Sequence, residues 1–280
     1  MSEGDATRGA ADIESADAEL VDQAIRRLLE GDVQGAARQL LDVVSRTPTP
    51  YVYRFERDGT LHIKFWDEEE FTLFSTQTGH PTQIVWLKSA YPRAYYYLGF
   101  IQVKLGNNAD AIRWLDAGMA LEPDQPLFQL EKAKALSGMR QHELALALYE
   151  QVAQKGPELR VRIRAAALRG KGFQLIELGR LNPAEQAFRE SLELDPENPI
   201  ALNELDYIEH LRAGGSQAPT ETVQAKLSGP KQCNACGVSI AETGGTGRNI
   251  GGQMSWLCRT CDAKQPPPAP PKKWWQFWKQ

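Results

Sequence analysis

The residues best placed to do chemistry in this sequence are four cysteines. Cys233 and Cys236 form one CxxC pair and Cys258 and Cys261 a second, in the pattern CxxC-x21-CxxC. The short spacing within a pair lets both sulfurs of a tight turn reach one ion, and Gly237 after the first pair permits the positive φ such a turn often uses. Two such turns supply four thiolates, the usual ligand set of structural zinc. That set leaves no open coordination position, so the ion is expected to hold structure and not to catalyse. A redox dithiol pair and an iron site are the alternatives, the first without the strand-helix context of redox CxxC sites. The loop between the pairs carries Gly244, Gly245, Gly247, Gly251 and Gly252. Such a loop buries little, so metal is expected to hold the module together. All the cysteines fall between 233 and 261, which excludes a disulfide scaffold spread over the chain and makes a reducing cytoplasm the expected compartment.

Other catalytic chemistry is not indicated. His62, His80, His142 and His210 sit in no recognisable catalytic motif, and GTGRNIGG lacks the Lys-Ser/Thr ending of a phosphate loop. No enzyme is expected. A formal charge of −4 lacks the basic field of a general nucleic-acid binder. Lys231, Arg248, Arg259 and Lys264 lie in or near the cysteine module, partly offset by Glu242 and Asp262. A regulator that reads nucleic acid through this module is therefore the alternative function, and nucleic acid is not the expected partner.

The C-terminus carries a second kind of chemistry. QPPPAPP (265–271) forms a stiff extended spacer. In the KKWWQFWKQ that follows, a helical wheel puts Trp274, Trp275, Phe277 and Trp278 on one arc, with Lys272, Lys273 and Lys279 opposite. So short a segment cannot hold a helix alone in water, and the tail is expected to order against something. Trp with Lys suits a membrane–water interface, and the same face suits an apolar groove on a partner or on this chain's own helices. A peripheral membrane-associated assembly factor is a further alternative. No stretch approaches the roughly 20 apolar residues of a membrane span. The acidic start, MSEGDATRGAADIESAD, is not expected to be a signal peptide.

What positions these residues is a repeat. With 280 residues, 42% of them hydrophobic, the chain can build a real core in one or two domains. Gly99-Phe100 matches Gly172-Phe173, Leu105-Gly106 matches Leu178-Gly179, and Pro123 matches Pro196, always at the same offset along the chain. A finer pattern occurs at four places: a small residue, then Ala, then a large apolar residue one helical turn after that Ala, then Pro, with constant spacings. The sets are Ala24/Ala36/Leu40/Pro48, Gly99/Ala111/Leu115/Pro123, Ala133/Ala145/Tyr149/Pro157 and Gly172/Ala184/Phe188/Pro196. Small residues let two antiparallel helices approach closely, the large one is expected to fill the gap toward the next pair, and Pro ends the second helix.

At these positions the chain resembles the tetratricopeptide repeat (TPR) family, whose period is about 34 residues. The offset between the matched segments is two such periods with a short insertion. The expected fold is mostly α, a TPR helical-hairpin solenoid with a small antiparallel β insertion and a C-terminal module that resembles zinc ribbons. The expected organisation runs from a disordered acidic segment (1–16) to an array at 17–212. The array comprises repeats at about 17–50, 92–125, 126–159 and 165–198, with a cap helix at 199–212. A linker (213–228), the zinc module (229–263) and the spacer with its tail (264–280) follow. Residues 160–164 lengthen one first helix, and the cap's apolar stripe is 202, 205, 208 and 211.

Residues 51–91 interrupt the array with a period of two. Tyr51, Tyr53 and Phe55 alternate with Val52, Arg54 and Glu56; Asp58-Gly59 signals a hairpin; Leu61, Ile63 and Phe65 then alternate with His62, Lys64 and Trp66. EEEFTLFS and QIVWL read as two more strands of an antiparallel meander. Its aromatic face is expected to pack on the first helices, since a small sheet must cover a face to be stable, with a partner-docking platform as the alternative.

The TPR resemblance also implies a concave face of first helices that binds peptides. Here it would show Arg93, Tyr96, Phe100, Leu130, Lys134, Arg169 and Phe173, with Arg160 and Arg164 added by the lengthened helix. The family's clamp of Lys, Asn and Arg does not recur, for its Asn positions hold Phe100 and Glu131. An apolar ligand with some acidic character fits better than a chaperone C-terminus. The implied function is a non-enzymatic adaptor that holds a protein or peptide on the array, with structural Zn2+ in the cysteine module and the tail as an added docking element. Such an adaptor is expected in the cytoplasm, peripheral at a membrane surface if the tail docks there.

Overall fold

The computed structural model describes residues 3–77, 83–156, 159–215, 233, 235–236, 245–250 and 253–264. The chain divides into two compact units, one up to Ile208 and one from Glu209 onward.

Antiparallel helix pairs dominate the first unit. They are α1 (Glu3–Glu30) with α2 (Val33–Val44), α4 (Tyr91–Lys104) with α5 (Asn108–Leu121), α6 (Pro126–Gly138) with α7 (His142–Ala153), and α8 (Val161–Glu177) with α9 (Leu181–Leu194). A last helix, α10 (Pro199–Arg212), follows. Neighbouring pairs stack through α2 on α4, α5 on α6 and α7 on α8, so each pair buries the apolar face of the next. The spacing read from the sequence has a direct steric cause. A methyl group on Gly99 would lie 2.5 Å from Leu115 Cγ, and one on Gly172 would lie 2.6 Å from Phe188 Cε2. The large residue therefore covers the small one of its own pair, whereas the spacing suggests that it fills the gap toward the next. Ala24, Ala36, Ala111, Ala133, Ala145 and Ala184 are all fully buried.

Each helix pair turns at one recurrent place, two turns of helix after the small residue. Gly31, Gly106 and Gly179 have φ of +89°, +77° and +72° there, and the pair α6–α7 has Arg140 at +58°. The turn bonds repeat too. Asp32, Asn107, Gln141 and Arg180 donate their N–H to the carbonyls of Arg27, Gln102, Leu136 and Leu175. A left-handed residue closing a helix this way is ordinarily glycine, because a Cβ is strained in that conformation.

Helix α1 starts at Glu3, so residues before 17, expected to be disordered, are largely helical. Alanines favour the helix, and burial of Glu14 and Asp17 ties its middle to the unit. The cap stripe also shifts. Ala201 and Ile208 are buried, while Leu202 is 46% exposed.

The insertion between α2 and α4 is a three-stranded sheet in the order β1 (Arg54–Arg57), β2 (Thr60–Phe65), β3 (Gln83–Lys88). Strands β1 and β2 form the expected antiparallel hairpin, with Arg57 opposite Thr60. Asp58 and Gly59 both take positive φ in its turn, the conformation a two-residue hairpin needs. The rest departs from a meander. EEEFTLFS is the body of helix α3 (Glu68–Gln77), and β3 pairs with β2 in parallel, Thr60 opposite Gln83 and Phe65 opposite Lys88. A helical crossover is what joins parallel strands. Asp67 accepts the Glu70 N–H at 2.9 Å and so caps the helix. Phe71 and Phe74, neighbours on one helix face, both reach Phe65, at 5.5 and 5.4 Å between ring centroids.

In the second unit β4 (Gly245–Ile250) pairs antiparallel with β5 (Gln253–Cys258), and the short α11 (Arg259–Asp262) follows at once.

Candidate functional site

The insertion lies on the N-terminal ends of the first helices. The Trp66 indole packs edge-on against Tyr96 of α4 and Phe128 of α6, at 5.3 and 5.6 Å between centroids. Its Nε1–H donates to Glu122 Oε2 at 2.7 Å. The next residue, Asp67, pairs with Arg160 Nη1 at 2.7 Å, and Glu69 pairs with Arg162. Glu70 accepts from the Trp66 N–H at 2.8 Å and from Gln125 Nε2 at 2.9 Å. Tyr53 reaches Asp124 through its hydroxyl at 3.2 Å. Side chains of the insertion from Tyr53 to Glu70 thus engage the array at α4, α6, α8 and the turn before α6. The insertion meets the first helices mainly through Trp66 and the acids after it and not through the whole face expected: Tyr51 packs on Tyr91, whereas Phe65 packs on Phe71 and Phe74 of α3 and Phe55 stacks on His62.

Behind Trp66 lies a nest of carboxyl groups. Glu14 is buried, pairs with Lys64 at 2.6 Å, and accepts from the Tyr51 hydroxyl at 3.0 Å and the Ala90 N–H at 3.3 Å. The Lys64 ammonium also sits 4.0 Å from the centre of the Tyr51 ring. Burial, with the negative Glu70 nearby, pushes the Glu122 carboxyl up to about 8. Glu70 is raised as well, chiefly by burial. Burial alone would raise Asp67, but Arg160 beside it and the Glu70 N–H hold it below the usual range. None of these acids belongs to the site read from the sequence. The one signal for Asp67 and Glu70 is the run Trp66-Asp67-Glu68-Glu69-Glu70, which interrupts the alternation of the strands; Glu14 and Glu122 carry no such signal.

The predicted groove residues meet different fates. Tyr96 and Leu130 are buried, and Arg160 is 6% exposed. Arg93 pairs with Asp22 of α1 and donates to the Ser89 carbonyl at 3.2 Å. Arg164 donates to the carbonyls of Lys155 and Gly156, at 2.5 and 2.6 Å, and so braces the loop before α8. Arg169 pairs with Asp195 at 3.3 Å. Lys134 and Phe173 are exposed, and Phe100 is half-buried. Phe100 carries the Lys104 ammonium 5.5 Å from its ring centre, Lys134 reaches Glu131 at 2.8 Å from an exposed position, and Phe173 is 36% exposed. They occupy one equivalent position in three repeats.

In the second unit, the Cys233, Cys236 and Cys261 sulfurs all lie within 4.8 Å of one another. Ligands on a tetrahedral ion with bonds of about 2.3 Å stand about 3.8 Å apart, so a small contraction would seat these three around a zinc ion. Thiolates are a suitable donor set for it. Cys233 and Leu257 are buried, with Cys261 packed on them. Cys258 ends β5, and its side chain lies outside the described set. The tail residues Lys272, Lys273, Trp274, Trp275, Phe277, Trp278 and Lys279 lie outside the described residues.

Comparison with known proteins bears on the first unit. The tetratricopeptide repeat family matches residues 172–198, the end of α8 and all of α9. PilF of Pseudomonas aeruginosa superposes with a TM-score of 0.52 at 12% identity, over 77% of this chain and 85% of that one. MamA from Desulfovibrio magneticus RS-1 gives 0.47 at 18% identity, over 71% and 86%. The second TPR domain of human RPAP3, solved with the HSP70 peptide SGPTIEEVD, gives 0.36 at 25% identity, over 41% and 92%. A search of curated proteins found no match. The class that the fold defines is a mostly helical solenoid of stacked helix pairs, interrupted by a small β insertion, with a fold like that of PilF and a match to the tetratricopeptide repeat at residues 172–198. Among the described residues, no helix is long and apolar enough to cross a membrane.

Proposed function

We propose that this chain is a non-enzymatic adaptor that holds a protein or peptide on the first-helix surface of its TPR array. The observation that carries this reading is one equivalent position of three repeats, exposed at Lys134 and Phe173 and half-buried at Phe100, while the arginines around it are bonded within the chain. An apolar stripe with a central cation suits an apolar segment bearing an acidic group. Cys233, Cys236, Cys258 and Cys261 would hold a structural zinc ion, whose part is to fold the second unit. The tail from Lys272 to Lys279 would add a second, weak contact that raises avidity through the Pro-rich spacer.

The test is capture of binding proteins by the immobilised chain and by a Phe100→Glu, Phe173→Glu variant. The variant is expected to lose its specific partners while keeping the parental helical circular dichroism. The same partners on both chains, or none on the parent, would overturn the reading.

A further inference from the structure

The array already holds a segment of the kind its surface suits, and that segment is its own. Trp66 supplies an indole seated between Tyr96 and Phe128. The acids that follow it meet cations of α8 and its N-cap: Asp67 with Arg160, and Glu69 with Arg162. Gln125, which caps α6, holds Glu70 by a hydrogen bond. Arg160 is almost wholly buried in these contacts. An aromatic anchor followed by acids spaced to reach two arginines is how a peptide ligand would engage such a surface.

We propose that Trp66–Glu70 acts as an internal ligand, and that the surface formed by Tyr96, Phe128, Gln125, Arg160 and Arg162 binds a partner segment of the same chemistry, an aromatic residue followed by acidic ones, once the insertion lifts away. Two observations make lifting feasible. The insertion is a side branch of the array, since α2 packs directly on α4 across it. Among the described residues, the apolar core of α1, α2 and α4, built on Val21, Leu40, Val43 and Leu98, includes none between 52 and 90, and the insertion meets α1 through β3 and the Lys64–Glu14 pair, which lifting must break. A ligand for a surface that is covered most of the time binds more weakly by the open fraction. A partner would therefore compete with the insertion, and occupancy would depend on how firmly the insertion is held.

This inference rests on the adaptor reading, but its test does not need the natural partner. A labelled, blocked peptide of residues 64–72, KFWDEEEFT, is titrated into the full chain and into a Trp66→Ala, Asp67→Asn variant. With the insertion open about 1% of the time, the variant should bind the peptide about 100-fold more tightly than the parent. Adding Arg160→Ala to that variant should abolish the gain. Equal affinity for parent and variant, or no binding to a variant with parental helical circular dichroism, overturns the proposal. If the variant loses helical signal, hydrogen exchange of the parent decides. Amides of Trp66–Gln77 that open far more often than those of α6 and α8 support it; one common opening for all of them overturns it. Peptide binding with no partner captured would sink the adaptor reading and leave the internal ligand standing.

Discussion

Glu122 keeps its proton into the neutral range because its surroundings penalise charge. Burial is the main cause, Glu70 from α3 and Glu14 from α1 add repulsion, and only the Trp66 hydrogen bond and Lys64 from β2 oppose them. Its pKa rises from an ordinary 4.5 to about 8. Between those values the folded chain holds a proton that the unfolded chain releases. Stability from this group is therefore full below about pH 4.5 and is lost as pH rises through about 8. Glu122→Gln keeps an acceptor for Trp66 and carries no charge. Urea unfolding should find this variant more stable than the parent at pH 9, by about 1–3 kcal/mol, and near parity at pH 5. A parental loss of stability in the variant over that range would assign the pH dependence elsewhere.

Arg140 shows how an element can be correct with a poorly suited residue. It is exposed and takes φ +58°, at the position where three other helix pairs have glycine. A Cβ in the left-handed conformation costs about 1 kcal/mol or slightly more. Arg140→Gly should thus stabilise the unit by about 0.5–1 kcal/mol, read as a higher melting temperature, although glycine usually destabilises elsewhere. A lower melting temperature would show that the turn does not govern stability here. At the contact between α4 and α5, Ala111 is fully buried beside the Gly99–Leu115 approach. Ala111→Asp would place a carboxylate there without a partner, at a cost of about 3 kcal/mol or more. The loss should spread along the stack because each pair leans on its neighbours. Parental melting of Ala111→Asp would refute this helix register.

On the scale of the whole molecule, the zinc site proposed for the cysteines predicts different sources of stability for the array and the cysteine module. The core of the array contains no cysteine, whereas zinc binding to such modules is worth about 10–16 kcal/mol of folding energy. Chelation should release about one zinc per chain, abolish order around Cys233–Cys261, and leave helical circular dichroism nearly unchanged. Helical signal falling with the metal, or elemental analysis without metal, would contradict this. The tail supplies a third test. Trp fluorescence that shifts to the blue with anionic vesicles, and shifts back in high salt, would assign Trp274, Trp275 and Trp278 to a membrane surface. Trp274→Ala with Trp278→Ala should abolish that shift; the same shift from the double variant would remove the tail from the reading.

The helical-hairpin solenoid was legible in the sequence because its defining contacts are local. Gly99 meets Leu115, and Gly172 meets Phe188, each within a single helix pair, so each repeat writes the same small-to-large spacing into the chain. The Asp58-Gly59 hairpin and the paired cysteines are legible for the same reason. Beyond that hairpin QIVWL was legible as the strand β3, but helix α3 and the parallel pairing of β3 with β2 were not. EEEFTLFS satisfies both a strand and a helix pattern, and its fate as α3 depends on the Asp67 cap and on Phe65 receiving Phe71 and Phe74. The seat of Trp66 was hidden altogether. Its bond to Glu122 joins the insertion to the end of α5, and the bond from Arg160 to Asp67 joins it to the start of α8. A segment that occurs once in the chain leaves no period behind. Only the three-dimensional packing of the insertion on the array could bring its acids to those arginines.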